Sequence, residues 1–361
     1  MSDFSNIVVI QTAFLGDLIL TLPLVQSLKR NLSPEAIDVV VVPSAAGLLA
    51  GHPAVNAVIP YDKRGSDSGL QGILRQAGRL RRNRYDLAVV PHRSLRSAGL
   101  VWLAKIPRRI GFDTSSARWL YTDVVTYAAN EHEVVRNAKL LEPLGFKVTG
   151  KELPSLYPSA EDRSVAERFL SSNGMAAAGN LIAIAPGTIW NTKRWLPERY
   201  AELAKRLVGD GLAVVLLGGG DDRELCERIK NDVASGRIVS SAGKLSLLQS
   251  ASLLQRCRLL ISNDSAPMHI AVAVRTPVIA IFGATVPEFG FAPCGERDVV
   301  IEAKGLACRP CSIHGGDQCP IGTFDCMTAI SGDEVYRRAV ESIKTVAPHS
   351  QRTDGAGRVR G

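Results

Sequence analysis

The sequence has no long hydrophobic run, and this absence argues against a membrane-spanning protein. No apolar stretch reaches the ~18 residues that a membrane-spanning helix needs. The first residues, MSDFSN, carry an acid and lead directly into a short predicted strand, unlike a secretory signal peptide. We therefore expect a cytoplasmic protein whose seven cysteines are mostly reduced thiols and not a disulfide framework.

Several signatures of nucleotide and nucleic-acid binding are also missing. No G-x-G-x-x-G fingerprint follows a predicted strand, and there is no Walker A motif. The formal charge of +8 is moderate and diffuse, without an RNA-binding signature or a basic stripe interleaved with aromatic residues. These absences argue against an NAD-dependent oxidoreductase and a nucleic-acid partner. The positive charge suits anionic substrates or an anionic membrane surface.

What is present is an alternation of strand and helix patterns in two series. The 46% hydrophobic and 22% charged residues are typical of a soluble globular protein, and 361 residues exceed one typical core. Short β-branched runs alternate with helical periodicity, which predicts an α/β protein with parallel, doubly wound sheets. We predict two Rossmann-like domains at 1–160 and 179–330, a passage at 161–178, a last helix at 331–348 and a disordered tail at 349–361.

The first strand–turn–helix unit places a carboxylate where ligands bind in open α/β sheets, at the carboxyl edge of the strands. Residues 7–10 are a β-branched run, and Asp17 stands where an apolar helix begins. Pro23 predicts a kink or a restart of that helix near Leu22. Asp17 is either a helix cap or an acid–base group held ionised by the helix dipole. This unit alone leaves both interpretations open.

Two motifs in the second series predict a site for a phosphate and a sugar. Thr188 and Lys193 follow a strand and offer a hydroxyl and a cation to a pyrophosphate. The alternative is a basic surface loop with tryptophans packed beneath it. Asp264 and Ser265 also follow a strand, where they suit sugar hydroxyls and phosphate oxygens. His269 lies one turn further, although a lone helical histidine is more often structural.

Two other features leave alternatives open. Asp221 and Asp222 follow a glycine turn at the end of a strand, where they either bind a ribose or cap the next helix. Four cysteines have the spacing C-x2-C-x7-C-x6-C: Cys308, Cys311, Cys319 and Cys326. The first pair has zinc-ribbon spacing and the second does not, so reduced thiols are the default and a structural zinc site is the alternative.

Taken together, these motifs resemble those of the family 9 glycosyltransferases, the lipopolysaccharide heptosyltransferases. The resemblance covers residues 5 to 346 and rests on these stretches in order: 7–29 with 14–17 inside it, 186–188, 192–195, 263–265, 267–269, 276–283 and 308–311. It implies a GT-B fold, in which two Rossmann-like domains face a central cleft. The first domain of such a fold binds the acceptor and the second binds the nucleotide sugar.

The resemblance also implies an activity, because the family transfers L-glycero-D-manno-heptose from ADP-heptose to the inner core of lipopolysaccharide. Transfer proceeds with inversion and without a metal, and Asp17 matches the proposed base. Five residues match donor-binding positions: Thr188, Lys193, Asp264, Ser265 and His269. Ala266 stands where glycine is frequent, which weakens the expectation of a backbone contact there.

Residues that bind the acceptor vary more within the family, so we base them on charge. Lys63, Arg64, Arg93 and Arg96 lie in first-domain loops that suit acceptor phosphates or acidic core sugars. The acceptor would be lipid A–Kdo or a heptosylated core, which predicts peripheral attachment to the inner face of the inner membrane. The cysteine loop favours the heptosyltransferase II type. The alternatives are a GT-B-fold nucleotide-sugar epimerase and a family 9 transferase that uses another sugar donor.

Overall fold

The computed structural model describes residues 4–148, 150–175 and 179–345, and it divides the chain into two compact units. The first unit contains Met1–Ser159 and Pro287–Cys294, and the second contains Ala160–Val286 and Gly295–Gly361. The helix Ala160–Ser172, which overlaps the predicted interdomain passage, groups with the second unit. The predicted disordered tail at 349–361 lies outside the described residues.

The first unit is built on six parallel strands. They are β1 (Asn6–Ile10), β2 (Ala36–Val41), β3 (Ala57–Pro60), β4 (Leu87–Val90), β5 (Arg108–Phe112) and β6 (Asp123–Val125). The helices of this unit are α1 (Leu15–Leu32), α2 (Gly69–Arg82), α3 (Leu95–Leu103) and α4 (Glu133–Lys139). Short 3-10 helices cover Pro43–Leu49, Arg118–Leu120, Glu142–Leu144 and Pro287–Phe289.

The second unit also has six parallel strands. They are β7 (Leu181–Ala185), β8 (Ala213–Leu216), β9 (Ile238–Ser240), β10 (Leu259–Asn263), β11 (Val278–Phe282) and β12 (Val299–Glu302). The helices are α5 (Ala160–Ser172), α6 (Pro197–Gly209), α7 (Arg223–Val233), α8 (Leu247–Arg256), α9 (Ala266–Ala273), α10 (Asp325–Thr328) and α11 (Gly332–Thr345). Two 3-10 helices cover Asn191–Lys193 and Gly220–Asp222.

Both sheets have the same strand order, which confirms the predicted pair of Rossmann-like, doubly wound folds. The first sheet runs β3-β2-β1-β4-β5-β6 and the second runs β12-β11-β10-β7-β8-β9. In each sheet the first strand of the unit lies at the centre, paired in parallel with the fourth. The chain therefore winds away from this central pair in both directions, and the pair is the topological switch point of the sheet.

The central strands are the apolar runs that the sequence marked. The side chains of Ile7, Val8, Val9 and Ile10 are fully buried, as expected for a parallel strand covered by helices on both faces. Each sheet ends in a short edge strand that the sequence patterns did not predict, β6 and β12. β6 has only three residues and includes Asp123, so it lacks the apolar periodicity that identifies longer strands.

Helix α1 contradicts the predicted restart near Leu22, because it continues through Pro23 as one helix. Proline lacks the N–H that would donate within the helix. The apolar neighbours Leu22 and Leu24 are fully buried, and this packing holds the helix despite the missing donor. No helix among the described residues is long and apolar enough to cross a bilayer.

Candidate functional site

The predicted site residues lie at the switch points of the two sheets. In the first unit, Asp17 comes soon after β1 and Arg93 follows β4, and these strands are central neighbours. In the second unit, Thr188 follows β7 and Asp264 follows β10, which pair in the same way. Ligands of open α/β sheets bind outside the carboxyl ends of the strands at this position. Each unit therefore presents one candidate site.

Asp17 does act as a helix cap. The backbone N–H of Phe14 donates a hydrogen bond of 3.1 Å to Oδ2 of Asp17, just before α1 begins at Leu15. One turn further, the hydroxyl of Thr21 donates to the backbone carbonyl of Asp17 at 2.8 Å. These bonds fix the carboxylate at the start of the helix, and they do not decide whether it also takes a proton from a substrate.

The surroundings of Asp17 increase its affinity for a proton. Burial raises the pKa of Asp17 to about 6, and the nearby carboxylate of Glu133 adds to the rise. The Phe14 N–H and the Arg93 guanidinium lower the pKa, but they do not offset the burial. A carboxylate with this pKa is ionised at neutral pH and is a better base than an exposed aspartate.

Glu133 is a residue of this site that sequence reasoning missed. It begins helix α4, is almost fully buried, and accepts hydrogen bonds from Arg136 at 2.8 Å and from the Tyr127 hydroxyl at 3.0 Å. The Arg136 guanidinium also donates to the backbone carbonyls of Ala128 and Phe289. The arginine thus holds a buried negative charge in place near Asp17.

Three of the four cations predicted to bind an acceptor lie together. The Lys63 ammonium donates to the Thr12 carbonyl at 2.5 Å, and Arg96 donates to the Lys63 carbonyl at 2.7 Å. Burial lowers the pKa of Lys63, and the positive charges of Arg64 and Arg96 lower it further. A partly buried group of like charges favours a bound anion. This group suits a phosphate or a carboxylate.

The fourth cation, Arg93, is held separately. Its guanidinium carbon lies 4.1 Å from the centre of the Tyr127 ring, and its charge acts on Asp17. Next to it is His92, whose Nδ1 lies 3.0 Å from the Thr12 hydroxyl and 2.8 Å from the Ser97 hydroxyl. Burial, together with Lys63 and Arg93, lowers the pKa of His92 to about 4, so the ring is neutral at pH 7.

In the second unit, the two predicted donor motifs meet in an ion pair. The Lys193 ammonium lies 2.6 Å from Oδ2 of Asp264, and the side chains are only 13% and 8% exposed. The Thr285 hydroxyl donates to the same carboxylate oxygen at 2.7 Å. Lys193 is therefore not part of a solvated surface loop. The alternative was a basic surface loop with tryptophans packed beneath it. Of this, the structure shows only the packed tryptophan, since Trp195 is fully buried.

Asn263 joins the two motifs through its side chain. Its amide oxygen accepts from the backbone N–H of Trp195 at 3.0 Å and from the Tyr200 hydroxyl at 2.9 Å. Its amide nitrogen donates to the Pro186 carbonyl at 2.8 Å. Asn263 is fully buried, so each of these bonds is costly to lose. The sequence marked the residue as part of a motif but did not predict this positioning role.

The remaining predicted donor residues lie close by in the chain. The Thr188 carbonyl accepts from Arg194 at 2.7 Å, which fixes the loop after β7. The Ser265 hydroxyl donates to the Asn263 carbonyl at 3.4 Å, directly before α9. His269 lies one turn into α9 and is only 6% exposed. The structure thus keeps these side chains at the carboxyl edges of β7 and β10.

The glycine turn after β8 favours the structural interpretation of its acids. The Asp222 carboxylate accepts from the Gly219 N–H at 2.8 Å and therefore stabilises the turn before α7. Asp222 also packs against Gly187 and Gly218, where a Cβ atom would overlap its side chain. Gly187 is consequently required for this close packing. Asp221 is exposed.

The cysteine loop supports the Lys193 turn. Thr192 and Gly316 exchange two hydrogen bonds, of 2.9 and 2.8 Å, and the Cys311 N–H donates to the Ala284 carbonyl at 3.0 Å. The four cysteines of the loop are free thiols. Within residues 4–148, 150–175 and 179–345, no three or more His, Cys, Asp and Glu side chains are arranged to hold a metal ion.

Comparison with known proteins adds independent information. The model of glycosyltransferase family 9 (heptosyltransferase) matches residues 73–317. Lipopolysaccharide heptosyltransferase 2 of Salmonella typhimurium is 31% identical, over 79% of this chain and 84% of that protein. Lipopolysaccharide heptosyltransferase 1 of Pseudomonas aeruginosa is 30% identical, over 85% of this chain and 86% of that protein.

Comparison with a solved structure tests the predicted fold. The ADP-heptose lipopolysaccharide heptosyltransferase II of Escherichia coli superposes with a TM-score of 0.76 and 25% sequence identity. The similarity covers 94% of this chain and 99% of that protein. It confirms the predicted GT-B fold class.

We predict that Asp17→Asn stabilises the protein at pH 8. The pKa of Asp17 rises from an ordinary 3.8 to about 6 on folding, so ionisation opposes folding. This cost is absent below pH 3.8, grows as the pH rises to 6 and is complete above it, where it amounts to at most ~3 kcal/mol. Asparagine removes the charge and keeps an acceptor for the Phe14 N–H.

Urea unfolding at pH 8 and at pH 4 measures this effect. The gain should be present at pH 8 and small at pH 4. Asp333→Asn is the matched control, because Asp333 is an exposed first-turn aspartate of α11 and should show no such pattern. A variant that is less stable than the wild type at pH 8 would contradict the burial argument.

Proposed function

Because the chain belongs to glycosyltransferase family 9, the heptosyltransferases, we propose that it transfers L-glycero-D-manno-heptose from ADP-heptose to the inner core of lipopolysaccharide. One observation carries this proposal. The motifs that the chain shares with the family gather at the switch point of each sheet, with a carboxylate in the first unit and a lysine in the second. These are the groups that a base and a diphosphate site need.

The second unit would bind the donor. Lys193 supplies a cation and Thr188 supplies a hydroxyl for the diphosphate of ADP-heptose, while the start of α9 offers the backbone N–H of Ala266. When the diphosphate forms an ion pair with the Lys193 ammonium, the Asp264 carboxylate is released from that ammonium. It can then accept hydrogen bonds from sugar hydroxyls. Ser265 and His269 complete this set of donor residues.

The first unit would supply the base. Asp17 takes the proton of the acceptor hydroxyl, and the oxygen lone pair forms a bond to the anomeric carbon of heptose. The bond from that carbon to the diphosphate breaks, and its electron pair stays on ADP, where Lys193 stabilises the new charge. A single displacement inverts the anomeric centre. The chemistry requires the acceptor and the donor to meet during turnover.

The acceptor would be a phosphorylated or acidic core, lipid A–Kdo or its heptosylated form. Lys63, Arg64 and Arg96 form a group of cations that suits such anions, and Arg93 adds a charge beside Asp17. We assign the enzyme to the heptosyltransferase II type, in agreement with the Salmonella relative. A type 1 enzyme is almost equally similar, so a panel of core acceptors decides between the types. The lipid acceptor brings the enzyme to the inner membrane as a peripheral protein.

We expect Asp17→Asn to fold and to bind ADP-heptose, yet to lose transfer by ~10² or more, because no base remains for the acceptor hydroxyl. Transfer is measured by mass, with ADP-heptose and other nucleotide sugars offered to heptose-deficient cores. In the wild type, kcat/KM should fall below pH 6, as Asp17 becomes protonated.

Asp333→Asn should keep wild-type turnover in the same assay. Near wild-type turnover of the Asp17 variant would remove this residue from the mechanism. An incubation without acceptor separates the alternative activity, since a nucleotide-sugar epimerase releases an epimer or free sugar without acceptor. Transfer of a different sugar would agree with the family but show that the donor is not ADP-heptose.

Lys193→Gln should weaken ADP binding at least tenfold, since a charge-assisted contact to phosphate contributes about 1.5 to 3 kcal/mol. Isothermal titration calorimetry with ADP measures the loss. The control is Lys205→Gln, which removes an exposed lysine of α6 and should leave the affinity unchanged. If both variants bind ADP as the wild type does, the diphosphate lies elsewhere.

We also expect transfer to continue without a divalent cation, because Lys193 and the start of α9 provide the positive charge that a metal would otherwise supply. The assay is transfer after dialysis against EDTA, compared with the same protein supplied with Mg²⁺. A rate that drops in EDTA and returns with Mg²⁺ would contradict this part of the proposal. Metal analysis of the same preparation tests whether the cysteine loop holds reduced thiols, the default prediction, or the alternative zinc ion.

A further inference from the structure

Helices α2 and α3 form a continuous outer surface of the first unit together with the 3-10 turn Arg118–Leu120. Helix α2 packs beside α3, and α3 contacts the turn. Five large apolar side chains on these elements are exposed: Leu70 (72%), Leu74 (49%), Leu95 (58%), Trp102 (52%) and Trp119 (72%). We call this region the α2–α3 surface.

The exposed apolar side chains lie on faces that the fold does not use. Helix α2 packs through Gly72, Gln76, Ala77 and Leu80, which are buried. Leu70 and Leu74, four residues apart, lie with Arg81 on one strip of the helix beside the buried face, since residues spaced three or four apart align on a helix. On α3, Leu95 and Trp102 are two turns apart and are likewise not among the residues that pack in the core. Folding of the unit therefore does not require these side chains to be apolar.

The same surface is strongly cationic. The three elements of this surface carry six arginines and no acid: Arg75, Arg79, Arg81, Arg82, Arg96 and Arg118. Five exposed cations have side chains that make no hydrogen bond or ion pair with another described residue: Arg81, Arg82, Arg84, Lys105 and Arg118. Their charges are therefore available to an external anion.

Trp102 borders an apolar groove on this surface. The groove is lined by Trp102, Leu103, Ile106 and Pro107, with basic side chains at its rim. One of these, Arg109, donates to the carbonyls of Ile106 at 2.5 Å and Leu120 at 2.7 Å, and so fixes the segment behind the tryptophan. The tryptophan is thus presented on a rigid support.

We propose that the α2–α3 surface binds the anionic face of the membrane that holds the lipid acceptor. Tryptophan rings favour the boundary between headgroups and acyl chains, and nearby lysines and arginines are attracted to anionic headgroups. The surface carries a large excess of cations over acids, so its charge is complementary to an anionic lipid face. The inference rests on the proposed function, because the lipid acceptor is what places the enzyme at a membrane.

Flotation with lipid vesicles tests the proposal on the full-length protein. The wild type should bind vesicles of phosphatidylethanolamine and phosphatidylglycerol, bind phosphatidylcholine vesicles poorly, and lose binding as salt increases. Trp102→Ala with Trp119→Ala should weaken binding to the anionic vesicles at least about tenfold, and so should Arg81→Glu with Arg82→Glu. Thermal melting confirms that both double variants fold.

The matched control is Arg337→Glu with Arg338→Glu. These are also adjacent arginines on an amphipathic helix, α11, but they pair with Glu341 in the second unit. This variant should bind vesicles as the wild type does. Transfer to a delipidated, water-soluble core should be unchanged in all variants, and transfer to an acceptor embedded in vesicles should fall only in the two surface variants.

Several results would overturn the proposal. They are failure of the wild type to bind anionic vesicles, equal binding to neutral vesicles, or full binding by both surface variants. If the surface variants instead change the oligomeric state in light scattering, the surface joins two copies of the chain. Vesicle binding without transfer from any nucleotide sugar would refute the proposed function alone. Equal transfer by all variants to the embedded acceptor would refute the docking alone.

Discussion

The parallel pairing of the first strand with the fourth, repeated in both sheets, is the constraint on which the sites depend. In the first unit β1 pairs with β4, and in the second β7 pairs with β10. The connections that follow the two paired strands run to opposite faces of the sheet. A crevice is therefore left between them at the carboxyl edge. Residues that are far apart in sequence are thereby brought to the same edge. The carboxylate of the first unit and the ion pair of the second both stand at such an edge.

The two sites treat a buried charge in opposite ways. Lys193 and Asp264 neutralise each other, and the Thr285 hydroxyl further satisfies the carboxylate. A diphosphate that replaces this carboxylate meets a cation already held in place, which limits the ordering cost of binding. Asp17, by contrast, has no cation within ion-pair distance among the described residues and has a second carboxylate, Glu133, nearby. Its raised pKa is the consequence, and a base requires that affinity for a proton.

The Glu133 carboxylate is held by a buried ion pair with Arg136. The arginine is 2% exposed and donates to the Glu133 carboxylate and to backbone carbonyls, including those of Ala129 and Phe289. A buried ion pair with satisfied hydrogen bonds contributes little net stability, whereas removal of one partner is strongly unfavourable. Loss of Arg136 would therefore leave the Glu133 carboxylate buried without its cation.

Much of the fold was predictable because its central strands are apolar runs. The run at 7–10 and the strand Val278–Phe282 are almost fully buried, and their sequence alone marks them. The edge strands β6 and β12 were not predictable, since short strands at an edge carry little periodicity. Helix α3 was also missed.

The site was predictable only in part, for a physical reason. Thr188, Lys193 and Asp264 belong to local motifs, so their types and spacing carry a signal. His92, Glu133 and Thr285 act through long-range contacts that exist only once the strand order is known. Asn263 is intermediate, because its motif was visible but its three hydrogen bonds to other segments were not.

Helix α3 connects the candidate acceptor site with the outer surface of the first unit. At its start, Ser97 contacts His92, and Arg96 binds the Lys63 carbonyl, so one side of the helix holds polar groups at the carboxyl edge of β4. The other side exposes Leu95 and Trp102. One rigid helix thus carries both sets of side chains, over nine residues. A membrane bound at its outer face would hold a lipid-anchored headgroup within a short distance of the cations, and diffusion of the acceptor would be confined to the plane of the bilayer.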